Sequence, residues 1–98
     1  MSVTEAPAAG ARLRELRTRI EEIDHTLIEL IAERVGLARE VGAAKRALGV
    51  PTLDPAREAQ VVRRAGELAR EAGVGDEDVR YIFWHLIGLS RRAQMEGD

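Results

Sequence analysis

ARLRELRTRIEEIDHTLIELIAERVGLAREVGAAKRAL, residues 11–48, contains no proline and decides the fold. Its apolar residues fall at Leu13, Leu16, Ile20, Ile23, Leu27, Leu30, Leu37, Val41, Ala44 and Leu48. The steps are of three and four, apart from one of seven between Leu30 and Leu37; this is the heptad spacing of a helix that packs along a second helix, and not the alternation of a strand. The pattern predicts one helix of about 36 residues, roughly 55 Å long. A helix of that length exceeds the width of a small globular domain. It needs a long partner, most simply its own copy in an intertwined homodimer.

Moving outward from this stretch, Gly49 suits the C-terminal cap and Pro51 blocks continuation. Asp54-Pro55 opens a second helix, with aspartate as the cap and proline at the first helical position. That helix is expected to run to about Ala72 and to stop at Gly73. A turn at Val74-Gly75-Asp76 leads to a third helix from about Glu77 to Met95, whose acidic start favours the positive end of the helix dipole. Residues 1–10, with Pro7 and Gly10, read as a flexible tail, and 11–98 as one domain. No repeat and no strand-like pattern is present. The fold class is all-α: one very long helix and two medium ones.

Composition narrows the function. The chain has 98 residues, enough for one modest core, with 45% hydrophobic and 33% charged residues, the balance of a folded helical protein. It has no cysteine, so disulfides, thiol nucleophiles and thiolate metal sites are excluded. Two histidines, His25 and His85, lie too far apart to announce a zinc centre, and no metal is expected. Fifteen basic against seventeen acidic residues give a net charge of −2, with no bulk attraction for nucleic acid or an anionic membrane. MSVTEAPAAGAR lacks the basic start and apolar run of a secretory leader, and no segment is long and apolar enough to span a bilayer. The expectation is a cytoplasmic protein.

Three cations are out of place for a plain bundle. Arg34 stands at an apolar position of the heptad, between Leu30 and Leu37, where a guanidinium is costly unless an anion pairs with it. Lys45 shares its face, eleven residues or roughly 16 Å further on, so two long side chains can grip one small dianion. Arg17 lies about 25 Å from Arg34 along the helix, beyond reach of that pocket in its own chain. An antiparallel partner helix would bring its copy there. The plainer alternative is a set of solvated or snorkelling charges on a coiled-coil surface, as in an adaptor module. Arg57 and Glu58 in the first turn of the second helix, and the pair Ser90 and Gln94 in the third, are weak signals singly. Tyr81, Phe83 and Trp84 suit core or subunit contacts better than base stacking. No Gly-x-Ser-x-Gly is present.

Together these residues resemble the all-helical class of chorismate mutases. The resemblance runs from about Leu13 to Gln94, through L-R-E-L-R-x-x-I-E-x-I-D (13–24), L-I-A-E-R-V-G-L-A-R-E-V-G-A-A-K (30–45), P-T-L-D-P-A-R-E (51–58) and I-F-W-H-L-I-G-L-S-R-R-A-Q (82–94). It implies an isomerase of the shikimate pathway and aromatic amino acid biosynthesis, converting chorismate to prephenate without a cofactor, in a homodimer with two shared sites. By resemblance, Arg17 reaches into the partner's site to bind a carboxylate, and Arg34 binds one from its own chain. Lys45 contacts the ether oxygen and helps hold a carboxylate; Gln94 donates to the same oxygen. The Asp54 backbone and the Glu58 side chain hold the ring hydroxyl, and Arg57 and Ser90 complete the carboxylate pocket. Sister enzymes on this scaffold compete. Isochorismate-pyruvate lyase is disfavoured by the intact D-P-A-R-E segment, whereas a 4-amino-4-deoxychorismate mutase would also find Glu58 agreeable. A non-catalytic dimerisation module accounts for the heptads but not for Arg34 among them.

Overall fold

The computed structural model describes residues 5–96. They form three helices, α1 (Glu5–Leu48), α2 (Pro55–Glu71) and α3 (Asp76–Met95), and no strand is found among the described residues. The fold is all-α, one very long helix followed by two of medium length.

The long helix starts at Glu5, not at Ala11, so residues 5–10 belong to α1 and not to a tail. Pro7 falls in the first turn, where backbone N–H groups have no helical partner and its missing N–H costs nothing. Ala6, Ala8 and Ala9 are strong helix formers and outweigh Gly10. Residues 1–4, the rest of the expected tail, lie outside the described residues.

The chain divides into two compact units, Met1–Ala32 and Glu33–Asp98, with the division inside α1. The described part of the first unit is a single run of helix. Leu13, Leu16, Ile20, Ile23, Leu27 and Leu30 repeat along it and are each 43–57% exposed. Thr18 and Thr26 return their hydroxyls to the carbonyls of Arg14 and Glu22, and Arg12–Glu15 and His25–Glu29 pair along the surface. His25 is therefore a surface residue. A lone helix has nothing against which to bury this stripe.

The second unit packs the last four turns of α1 with α2 and α3. Its buried positions are mostly small: Ala38, Gly42, Val62, Ala65, Gly66, Ala69, Ile87 and Ala93. Two matching caps join the helices. At Gly49 (φ 69°) the amide of Val50 returns to the Lys45 carbonyl at 3.0 Å and that of Gly49 to Arg46 at 3.1 Å. At Gly73 (φ 74°) Val74 returns to Ala69 at 2.9 Å and Gly73 to Arg70 at 3.2 Å. Both are Schellman motifs, whose left-handed residue costs least when it is glycine. Asp54 caps α2, its Oδ1 accepting from the Arg57 amide at 3.1 Å, with Pro55 in the first turn. Asp76 opens α3 and accepts from Arg70 at 3.1 Å and Arg80 at 2.9 Å, tying the α2–α3 turn.

Candidate active site

A cavity of about 350 Å³ opens in the second unit, lined by Arg34, Lys45, Asp54, Arg57, Glu58, Ser90 and Gln94 over an apolar floor that includes Val41 and Ile87. These seven are the sequence-nominated residues of this unit, and they come from all three helices and the α1–α2 connection. Arg17, the eighth, is exposed on α1 in the first unit.

The α1 cations point at α3. Arg34 is half-buried; its Nη1 donates to Ser90 Oγ and, at 3.4 Å, to the Leu86 carbonyl. Ser90 Oγ donates to the same carbonyl at 3.0 Å, an i−4 bond that fixes its rotamer. The guanidinium is thus anchored at one nitrogen, leaving its other N–H groups for a carboxylate. Three turns on, Lys45 Nζ donates to the Thr52 carbonyl and to Gln94 Oε1, both at 2.7 Å. An ammonium is donor-only, so it selects the oxygen of the amide and leaves the Gln94 NH₂ as the end free to donate. Two of the three Lys45 protons are committed and one remains. The Schellman turn at Gly49 is what returns Thr52 to Lys45.

One close approach sets this geometry. A Cβ at residue 42 would lie 2.3 Å from the Gln94 carbonyl oxygen and 2.7 Å from its Cα. Glycine at 42 lets α1 touch the backbone of α3 beside Gln94, and Arg46 Nη1 closes the contact with a 2.8 Å bond to the same carbonyl.

On the α2 side, Asp54 is consumed as a side-chain cap, and Arg57 is exposed, with Nη1 on Gln60 Oε1 at 2.8 Å. Glu58 is only 14% exposed and is gripped by Arg91, whose Nε donates to Oε2 at 2.7 Å and whose Nη2 donates to Oε1. The hydrogen bonds from Arg91 hold the Glu58 carboxyl below its ordinary value, against partial desolvation, so it is ionised at neutral pH. Sequence reasoning nominated neither Arg91 nor Gly42. The signal for Gly42 was a glycine inside a helical run, which marks a close approach. For Arg91 there was none, since Arg91 and Arg92 are equivalent until α2 is placed.

Among the described residues no group of three His, Cys, Asp or Glu side chains is arranged to hold a metal ion. His85 is an aromatic neighbour, edge-on to Tyr81 with centroids 4.9 Å apart. No helix of the described residues is long and apolar enough to cross a membrane.

Residues 16–95 match the family model described as chorismate mutase type II. A chorismate mutase of Methanocaldococcus jannaschii is 38% identical over 85 residues, 87% of this chain and 86% of that one. A 3-dehydroquinate dehydratase of Pyrobaculum aerophilum is 39% identical over 87 residues, 89% of this chain but only 25% of its own length. Among solved structures, a conserved hypothetical protein from Pyrococcus furiosus superposes with a TM-score of 0.70 at 34% identity, covering 85% of this chain and 95% of that one.

Proposed function

The chain belongs to the chorismate mutase type II family, and we propose that the cavity of its second unit is where it rearranges chorismate to prephenate. The reaction is an intramolecular Claisen rearrangement in which one carbon–oxygen bond breaks as one carbon–carbon bond forms. It needs no nucleophile and no proton transfer. The site has to hold a flexible dicarboxylate in its compact, reactive conformer and to stabilise the negative charge that grows on the ether oxygen.

The observation that carries the assignment is the convergence of Arg34, Lys45 and Gln94 on one cavity with their donor valences partly unspent. Arg34 and Arg57 are the carboxylate clamps, since a guanidinium presents paired N–H groups that match a carboxylate. Ser90 holds Arg34 in position. The remaining proton of Lys45 and the Gln94 NH₂ meet the ether oxygen from two sides. A preorganised donor of this kind is worth about 3–4 kcal/mol of barrier. The ionised Glu58 and the Asp54 backbone receive the ring hydroxyl.

Arg17 enters from a second copy. Its helix carries an apolar stripe half exposed from Leu13 to Leu30, which burial against an antiparallel α1 would cover. At full-burial values of about 1.5–3 kcal/mol per large apolar side chain, the half-exposed stripe holds several kcal/mol in reserve. The proposal is a homodimer with two sites, each completed by the other chain's Arg17.

The test is chorismate depletion by purified protein, with the solution mass measured on the same sample. Turnover by a dimer is expected. Arg34→Ala and Lys45→Ala are expected to cut turnover at least about a hundredfold while helicity is retained. Near-normal turnover in either folded variant, or a monomer that is fully active, overturns the assignment.

A further inference from the structure

We propose that Arg91 is a specificity-determining residue: by taking both oxygens of Glu58 it tunes that carboxylate to accept a ring hydroxyl and to reject an ammonium. The inference rests on the function proposed above.

Arg91 is not among the residues that line the cavity and clamp carboxylates. It follows Ser90 on α3, turned away from Arg34 and onto α2. Its two nitrogens meet the two Glu58 oxygens in a fork, a geometry that fixes the plane of the carboxylate as well as its position. Glu58 is the most enclosed carboxylate of the cavity, and Asp54, the other one, has its side chain committed to the α2 cap. Each oxygen of Glu58 still has a lone pair to offer, so the fork leaves it an acceptor.

The charge balance gives the pair its meaning. Arg34, Lys45 and Arg57 against Asp54 and Glu58 leave the cavity lining with a net single positive charge. A dianionic substrate needs more, and an unpaired Glu58 would repel it. Arg91 neutralises Glu58 without adding a donor to the carboxylate clamps. For a neutral hydroxyl this costs little, because each Glu58 oxygen keeps a lone pair and the hydrogen bond, though weaker, is still made. A substrate with an amine in place of the hydroxyl is different. Its ammonium would gain from a bare carboxylate, but with both Glu58 oxygens held by the guanidinium that gain is largely cancelled. Glu58 without Arg91 would suit the amine; Glu58 with Arg91 suits the hydroxyl.

The experiment compares kcat/KM for chorismate and for 4-amino-4-deoxychorismate in wild type, Arg91→Met, Arg91→Lys, Glu58→Gln and the Arg91→Met/Glu58→Gln double variant, with helicity followed by circular dichroism. Wild type is expected to prefer chorismate. Arg91→Met should shift that preference toward the amine by about three- to fivefold, the scale of a half-exposed charge contact. Arg91→Lys should keep the preference, since the charge remains, while losing rate on both substrates, since the fork is gone. In the Glu58→Gln background Arg91→Met should leave the preference unchanged, as required of a residue acting through Glu58. An unchanged preference in Arg91→Met, or the same shift with and without Glu58, overturns the inference even if chorismate is turned over well. Should Arg91→Met fail to fold, a lost preference in Arg91→Lys would overturn it equally. Wild type inactive on both substrates would overturn the proposed function and this inference with it.

Discussion

Gly42→Ala adds one methyl group at the tightest point of the second unit. The new Cβ would stand 2.3 Å from the Gln94 carbonyl oxygen, 2.7 Å from its Cα and 2.8 Å from its carbonyl carbon. All three are backbone atoms, so no side chain can swing aside. Ordinary contact begins at about 3.4 Å, so the end of α1 and the end of α3 must part by about 1 Å. The bond from Lys45 to Gln94 Oε1 is 2.7 Å. Opened by that amount it passes beyond 3.5 Å and is no longer a hydrogen bond. The amide loses the partner that orients it, and the two donors proposed for the ether oxygen lose their relative placement. Overpacking costs about 1–3 kcal/mol, or a melting temperature lower by at least about 4 °C in a chain of this size. A misplacement of about 1 Å in a positioned site is worth about a hundredfold in rate. The assay is kcat on chorismate, with thermal melting and helicity on the same preparation. Rate falling together with a modest loss of melting temperature is expected. A variant with wild-type rate and melting temperature would show that the contact beside Gln94 positions nothing.

Three further outcomes are expected. Because residue 94 is an amide, kcat should show no titration attributable to it between about pH 5 and 8, whereas Gln94→Glu should become active only as pH falls and the carboxyl gains a proton to donate; a steep acid requirement in wild type that Gln94→Leu abolishes would contradict this. The Glu58 carboxyl is held below its ordinary value of 4.5, first by its hydrogen bonds to Arg91. Its contribution to stability is therefore complete above about pH 4.5 and lost as pH falls through the lower folded value, so acid should weaken Glu58→Gln less than wild type in urea titrations at pH 3–5. An association that covers the stripe of the first unit makes the melting temperature rise with protein concentration, and Leu16→Glu or Ile23→Glu should abolish that dependence together with most of the activity; concentration-independent melting in wild type would count against shared sites.

The parts of the fold legible in the sequence are those fixed by local chemistry. The heptad spacing gives α1 its helical form, and Gly49 and Gly73 end helices because their left-handed φ is required there. Asp54-Pro55 opens α2 by a cap whose geometry is as local as its sequence. The start of α1 was misjudged for a related reason: Pro7 reads as a breaker except in a first turn, and only the position of the turn decides which. Arg34 was legible because a cation interrupting an apolar row is anomalous whatever the tertiary structure. Lys45 was legible through the helix face it shares with Arg34, and Gln94 only in company, through the resemblance of the whole pattern. Arg91 was not, because the identity of its partner depends on where α2 lies against α3.

The buried positions of the second unit are dominated by alanine and glycine, and that choice has two consequences that pull in opposite directions. Small residues let backbones approach, as at Gly42 against Gln94, and let a side chain lie across the helix, as at Gly66, where an added Cβ would lie 3.1 Å from the Arg80 Cδ. Close backbones place short-range donors with little play, as a site that works by positioning requires. Small residues also remove little apolar area from water, and among the described residues no large side chain is less than 2% exposed. At about 0.8 kcal/mol per buried CH₂, an alanine-lined interior supplies far less than a leucine-lined one. The leucines and isoleucines that would make up the difference are present, but they stand half exposed along α1 from Leu13 to Leu30. Positioning and apolar burial thus draw on different parts of the chain, and in the proposed dimer a second copy that covers the stripe would supply both further burial and Arg17.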